Sequence, residues 1–288
     1  MKKFGSILLM FFLVAITSCK KSDDGENTNQ NIDKTANLLG TGDSANDILS
    51  NNEFDKLLVE IAYVNGFRPT TTAMTSFVDY LRLHTFKQDI EVVFKEVPST
   101  ESTALELQEI ADFETENRTA YNDGSTLAIY IFFADAPSDE DDEEEGLFTL
   151  GAVYRNTSMV IYESTVRLLA RSSSQVSTSD IELATLNHEF GHLFGLVNIG
   201  SIPVNDHEDA EAPNHCDVDG CLMRGELQFR ASSNKSAAIT SKGEITNSCS
   251  LDGKSMLAML RGNTAKGLVD IPPLNAECIL DLQANGGR

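Results

Sequence analysis

At 288 residues, 41% of them hydrophobic and 23% charged, the chain has ordinary globular composition and can bury one sizeable core, so one main domain is expected. Its formal net charge of -22 and pI near 4.5 argue against nucleic acid or an anionic membrane surface as a partner, since both repel such a surface.

The chain opens as an export segment. Lys2 and Lys3 supply the positive start, and residues 7–16 are an unbroken apolar run, about half of the roughly 20 residues a bilayer span needs. The Ile16-Thr17-Ser18-Cys19 that follows resembles the lipobox of bacterial lipoproteins. That resemblance implies a signal peptide over 1–18, a lipid on Cys19, and an extracytoplasmic protein anchored to a bacterial membrane, at the outer membrane or cell surface. Asp23 and Asp24 beyond it are similar to surface-export signals of some Gram-negative lipoproteins. Residues 19–46 are polar and without periodicity, which predicts a flexible tether to a domain over 47–288. With Cys19 assigned to lipid, Cys216, Cys221, Cys249 and Cys278 remain. An even count in an oxidising compartment points to two disulfides of open connectivity.

Residues 57–64 (LLVEIAYV) read as a strand closed by Asn65-Gly66, and Pro69 then opens a helix over 72–83. His84, at the end of that helix, is read as a surface residue. Residues 89–97 (DIEVVFKEV) predict a second strand. Residues 104–118 predict an amphipathic helix with Leu105, Ile110 and Phe113 inward. The run 127–134 (LAIYIFFA) is apolar enough for a strand covered on both faces. Two short strands, 150–154 and 158–162, join through Arg155-Asn156-Thr157. The acidic run 139–145 lacks the spaced glycine and Asx ligands of a calcium loop and is read as a solvated loop, so calcium is unsupported. Near the C-terminus, Pro272 and Pro273 precede a short helix over 276–282 that packs Cys278, Ile279 and Leu282 onto the domain.

The chemistry concentrates in His188-Glu189-Phe190-Gly191-His192-Leu193-Phe194-Gly195. Ser179 as N-cap and Glu182 three residues on predict a helix over 180–194, with Leu183, Leu186, Phe190, Leu193 and Phe194 as its buried stripe. Residues four apart stand one turn above each other, so His188 and His192 can present two imidazoles to one metal. Glu189 sits beside the first of them, where its carboxylate reaches a water rather than the ion, as a general base must. Gly195 can turn the chain sharply back toward the site.

HEFGHLFG resembles the active-site helix of metzincins, whose longer pattern is HExxHxxGxxH followed by a methionine turn. His215-Cys216-Asp217-Val218-Asp219-Gly220-Cys221-Leu222-Met223 is similar to the HCx4CxM stretch of archaemetzincins. The resemblance implies an α+β, three-layer fold. It would have a mixed, mostly parallel twisted sheet with one antiparallel edge strand, the active-site helix, and a smaller C-terminal subdomain over 199–288. It makes His188 and His192 zinc ligands, Glu189 the base and Met223 the methionine beneath the site. At the family's third histidine this chain has Asn198, a poor zinc ligand. His215 is preferred as third ligand because its spacing to Cys216, Cys221 and Met223 matches the family. His207 is the alternative, with Asp206 and Asp209 behind it.

The family also uses cysteines for a second, structural zinc, but its second cysteine pair is close-spaced, unlike Cys249 and Cys278, and disulfides are the preferred reading. One catalytic zinc, a peptide or protein substrate and a monomeric state are expected. The reading is therefore a zinc metallopeptidase, most simply an endopeptidase. Asn198 motivates a rival, a zinc-binding surface lipoprotein acting as an adhesin or peptide-binding module.

Overall fold

Residues 127–133 are all buried within strand β3 (Thr126–Phe133), as a strand covered on both faces requires. The computed structural model describes residues 33–142, 144, 147–225, 260–261, 264–265 and 268–288. The signal segment, Cys19 and Cys249 lie outside the described residues.

Beside β3 run β1 (Lys56–Val64), β2 (Asp89–Val97), β4 (Gly151–Arg155) and β5 (Ser158–Ile161), in the order β2-β1-β3-β5-β4. β2, β1, β3 and β5 are parallel, with Ile61 opposite both Phe94 and Ile131, and β4 joins β5 antiparallel as the edge. This is the mostly parallel sheet with one antiparallel edge that was expected.

Because side chains alternate along a strand, each strand feeds two cores. Leu57, Val59, Ile61, Ile129, Ile131 and Phe133 meet helices α1 (Ala45–Leu49), α2 (Thr71–His84), α4 (Glu163–Arg171) and α5 (Thr178–Leu193) on one face. Ala62, Val64, Tyr130 and Phe132 meet Ile110 and Ala111 of α3 (Leu107–Asn117) on the other. Three layers result. The first core extends to Cys216, Cys221, Leu222 and Met223, and to Cys278 and Leu282 of α6 (Ala276–Ala284). β6 (Thr264–Ala265) and β7 (Leu268–Val269) form a second, two-stranded sheet, and a short 3-10 turn spans Thr35–Asn37. Among the described residues, no helix is long and apolar enough to cross a membrane.

Three expectations need correction. The tether does not run to residue 46. Asn37 is fully buried, its amide donating to Asn122 Oδ1 (2.9 Å), Ala128 O (3.1 Å) and Thr157 Oγ1 (3.1 Å). The Asn156 amide likewise donates to the Ala36 carbonyl and the Ser44 hydroxyl, both at 2.8 Å. Linker-like polar composition here is hydrogen-bonded structure. Likewise His84 is buried, because the last turn of α2 faces the end of α5: its ring lies 4.6 Å from Tyr80 and 6.4 Å from Phe194. Finally, α5 starts at Thr178, two residues before the predicted start at 180, since Ser177 and Asp180 form the capping pair.

Glu182 is thereby free for a buried role. Its carboxylate accepts from the Thr70 amide and hydroxyl at the start of α2, and it neighbours Glu163 at the start of α4. Burial, and then the Glu182 charge, push Glu163 up to about 9, and burial raises Glu182 too. The folded pKa of Glu163 exceeds its ordinary 4.5, so the folded state binds the extra proton between those values. Its stabilising contribution is complete below about pH 4.5 and is lost as pH rises toward 9. Thermal denaturation should therefore show Glu163→Gln raising the melting temperature at about pH 8 and flattening the slope across this window. Unchanged slopes would exclude the raised Glu163 pKa.

Candidate metal centre

The Ser177 hydroxyl accepts from the Asp180 amide (3.3 Å) while the Asp180 carboxylate accepts from the Ser177 amide (2.8 Å), so two of the unpaired donors at the start of α5 are satisfied. At the far end, Asn285 donates to the Phe194 carbonyl (3.0 Å), and Gly195 takes the left-handed φ of +79° that ends the helix. Between these stops lies HEFGH. Phe190 packs edge-on against Phe77 of α2 at 5.3 Å, which holds the helix rotation and turns His188 and His192 to the opposite side.

His188 and His192 meet through their Nε2 atoms at 3.2 Å, close to the N–N edge of about 3.3 Å for two imidazoles on a tetrahedral zinc. His215 joins them, and one ligand nitrogen from each ring lies within 4.8 Å of the others. Backbone carbonyls set two of the tautomers. His188 Nδ1 donates to Leu222 O (2.8 Å) and His215 Nδ1 to Pro213 O (2.9 Å), leaving each Nε2 with a lone pair for a metal. Burial, then the neighbouring His215, lower the His188 pKa to about 3; burial also lowers His192 and His215. The rings are therefore neutral, the form that a divalent ion takes up. Three neutral nitrogens fit zinc.

Glu189 is fully buried, and neither carboxylate oxygen has a hydrogen-bond partner among the described residues. Burial alone raises its pKa well above the usual carboxylate range. Edge strand β4 passes directly against it: a Cβ on Gly151 would lie 2.8 Å from Glu189 Cγ and 3.1 Å from Oε1. Met223 lies under the helix, with its sulfur 2.2 Å from where a Cβ on Gly191 would stand, so the close approach depends on glycine. Asn198 is exposed and takes no part in the cluster.

His207, the alternative third ligand, is directed elsewhere. Its Nε2 donates to Asp281 Oδ2 (2.7 Å), and its Nδ1 stands 3.4 Å from Cys216 Sγ. Burial opposes a charge on this ring, yet the bonds to Asp281 and Cys216 outweigh it and hold its pKa above the ordinary value. His207, Cys216 and Cys278 bring ligand atoms within 4.8 Å of one another. Cys221 Sγ adds a fourth at 3.6 Å from Cys278 Sγ. In place of the expected disulfides, Cys216, Cys221 and Cys278 are separate buried thiols, for a disulfide needs sulfurs about 2.05 Å apart. Both distances instead match the N–S and S–S edges of a tetrahedral zinc, about 3.5 and 3.8 Å. Asn275 donates to Cys216 Sγ (3.4 Å), and hydrogen bonds from Cys216 and Cys278 pull the Cys221 thiol down. These four residues could hold a second ion.

The supporting residues escape sequence reasoning. Leu222 and Pro213 act through backbone carbonyls, and Asp281 meets His207 across 74 positions without a motif. Only Asn275, a good N-cap type ahead of α6, carries a local signal.

No family model matches the sequence, and no curated protein matches it. Among solved structures, the chain is similar to archaemetzincin from Methanopyrus kandleri, with 16% identity and a TM-score of 0.41 over 81% of this chain and 96% of that one. It is also similar to metalloproteinase-II from Bacteroides fragilis, with 16% identity and a TM-score of 0.35 over 61% of this chain and 48% of that one.

Proposed function

We propose that this protein is a zinc-dependent peptidase, anchored to a bacterial membrane by a lipid on Cys19. The observation that carries the reading is the convergence of three neutral histidine nitrogens beside a buried, unpartnered Glu189. His188, His192 and His215 would hold the zinc, which supplies a Lewis acid that polarises a peptide carbonyl and acidifies water. Glu189 takes the proton of the attacking water and returns it to the leaving amine. Buried without a hydrogen-bond partner among the described residues, the Glu189 carboxylate is a stronger base than a solvated one, as taking a proton from water requires. β4 is the antiparallel edge of the sheet, the place at which an extended substrate would add as a further strand by main-chain pairing. The set of His207, Cys216, Cys221 and Cys278 takes a second, structural zinc that ties α6 to the segment carrying Met223.

The test is a peptide-library cleavage assay with and without a chelator. Cleavage that disappears with chelator and returns with zinc is expected; a metal-loaded protein that cleaves nothing overturns the peptidase reading. Acylation of Cys19 is checked separately, by the mass of the mature N-terminal peptide.

Gly151 gives a sharper expectation. A methyl at 151 meets Glu189, so Gly151→Ala should displace the carboxylate and slow cleavage, by about 10²-fold for a shift near 1 Å, without loss of metal. Steady-state kinetics with metal analysis reads both quantities. Full activity in Gly151→Ala would show that the base does not work from this position.

A further inference from the structure

From the way the chain leaves α5, we infer that Asn198 and Glu208 form a clasp that positions His215. The inference rests on His215 being the third zinc ligand and adds what brings it to the site. A ligand 23 positions beyond His192 reaches the metal only across a loop, and an unbraced loop would leave it wandering. The exit from the helix is tightly wound. Gly195, Val197, Asn198 and Gly200 all have positive φ, at +79°, +56°, +65° and +76°, and two of them are non-glycine residues that pay for that conformation in strain. Gly200 closes against Gly42, where a Cβ would come within 2.5 Å of backbone, so the exit is wedged in place.

From this anchored point the Asn198 side-chain amide donates to Glu208 Oε2. The other oxygen, Oε1, accepts from the Asn214 amide at 2.6 Å, one residue before His215. The Asp209 amide donates to the His215 carbonyl at 2.8 Å, and Glu208 pairs with Cys216 as a short antiparallel bridge. One carboxylate thus bridges the segment leaving the metal-binding helix and the backbone beside the ligand. Asn198, at the position where a shorter pattern would put a histidine, holds the residue that delivers one from farther away. Asn198 and Glu208 are positioning residues that act through His215.

The test measures zinc affinity of the histidine site in the full chain, by competition with a chelating indicator. It compares wild type, Glu208→Ala, Asn198→Ala, their double variant and Glu208→Gln. Each single alanine variant is expected to weaken zinc by about tenfold or more, as loss of a residue orienting a ligand does. The double variant should be little worse than either single, as members of one clasp require. Glu208→Gln should recover part of the affinity, because its amide oxygen still accepts from Asn214. The melting temperature of the metal-free protein should stay unchanged. Wild-type affinity in Glu208→Ala overturns the clasp, and so does a parallel fall in metal-free melting temperature, which marks a general packing role. His215→Ala measured alongside separates the two ideas: if it leaves zinc affinity intact, the ligand assignment fails; if it weakens zinc while Glu208→Ala does not, the clasp alone fails.

Discussion

Glu189→Gln should lower peptide cleavage by about 10²- to 10⁴-fold while zinc content stays at the wild-type level, because the change removes a proton carrier and no ligand. The isosteric amide fits the same buried space beside Gly151, so folding is not the variable. Burial already holds the native carboxyl protonated more readily than usual, and the cost of desolvating a charge there is absent from the amide. Melting temperature should therefore hold or rise. If zinc is bound and Glu189→Gln leaves cleavage unchanged, the protein is a zinc-holding module and Glu189 carries no proton.

His215→Ala should remove zinc from the histidine site and cleavage with it, whereas His207→Ala should spare both. Structural zinc sites with four ligands bind with roughly 10–16 kcal/mol, so one ligand is worth on the order of 3 kcal/mol, about a hundredfold in affinity. His207 points its Nδ1 at the Cys216 sulfur and its Nε2 at Asp281, away from His188 and His192. Its replacement should instead loosen α6, which Asp281 and Cys278 hold. A His207→Ala protein that loses cleavage while keeping α6 in place would reverse the two assignments. Zinc titration with both variants, followed by the cleavage assay, distinguishes them.

How far these residues could be read beforehand depended on whether their signals were local. The run LAIYIFFA announces a doubly covered strand because nothing polar interrupts it, and β3 occupies it nearly residue for residue. HEFGH was legible for a similar reason: a helix places its own fourth neighbour, so His188 and His192 need no other element to meet. The start of α5 misled because STSDIE contains two overlapping boxes, Ser177 with Asp180 and Ser179 with Glu182. The choice between them is made by Thr70, whose amide and hydroxyl draw the Glu182 carboxylate inward. Helix α4 passed unread, although Val166, Leu169 and Ala170 stand at helical spacing. Asn37 is buried by partners far away in sequence, His84 by Phe194 as well as its helical neighbour Tyr80, and the meeting of His207 with three thiols joins positions up to 71 apart. No window of sequence contains those events.

The central claim is that one zinc ion is gripped by His188, His192 and His215. The measurement closest to it is an anomalous-difference map at the zinc edge, from crystals of protein purified without chelator. The account predicts a peak about 2.0–2.1 Å from the three Nε2 atoms, with the Glu189 carboxylate outside bonding distance of the ion. Three histidines closed on one another with no peak between them, in protein supplied with excess zinc, would contradict it.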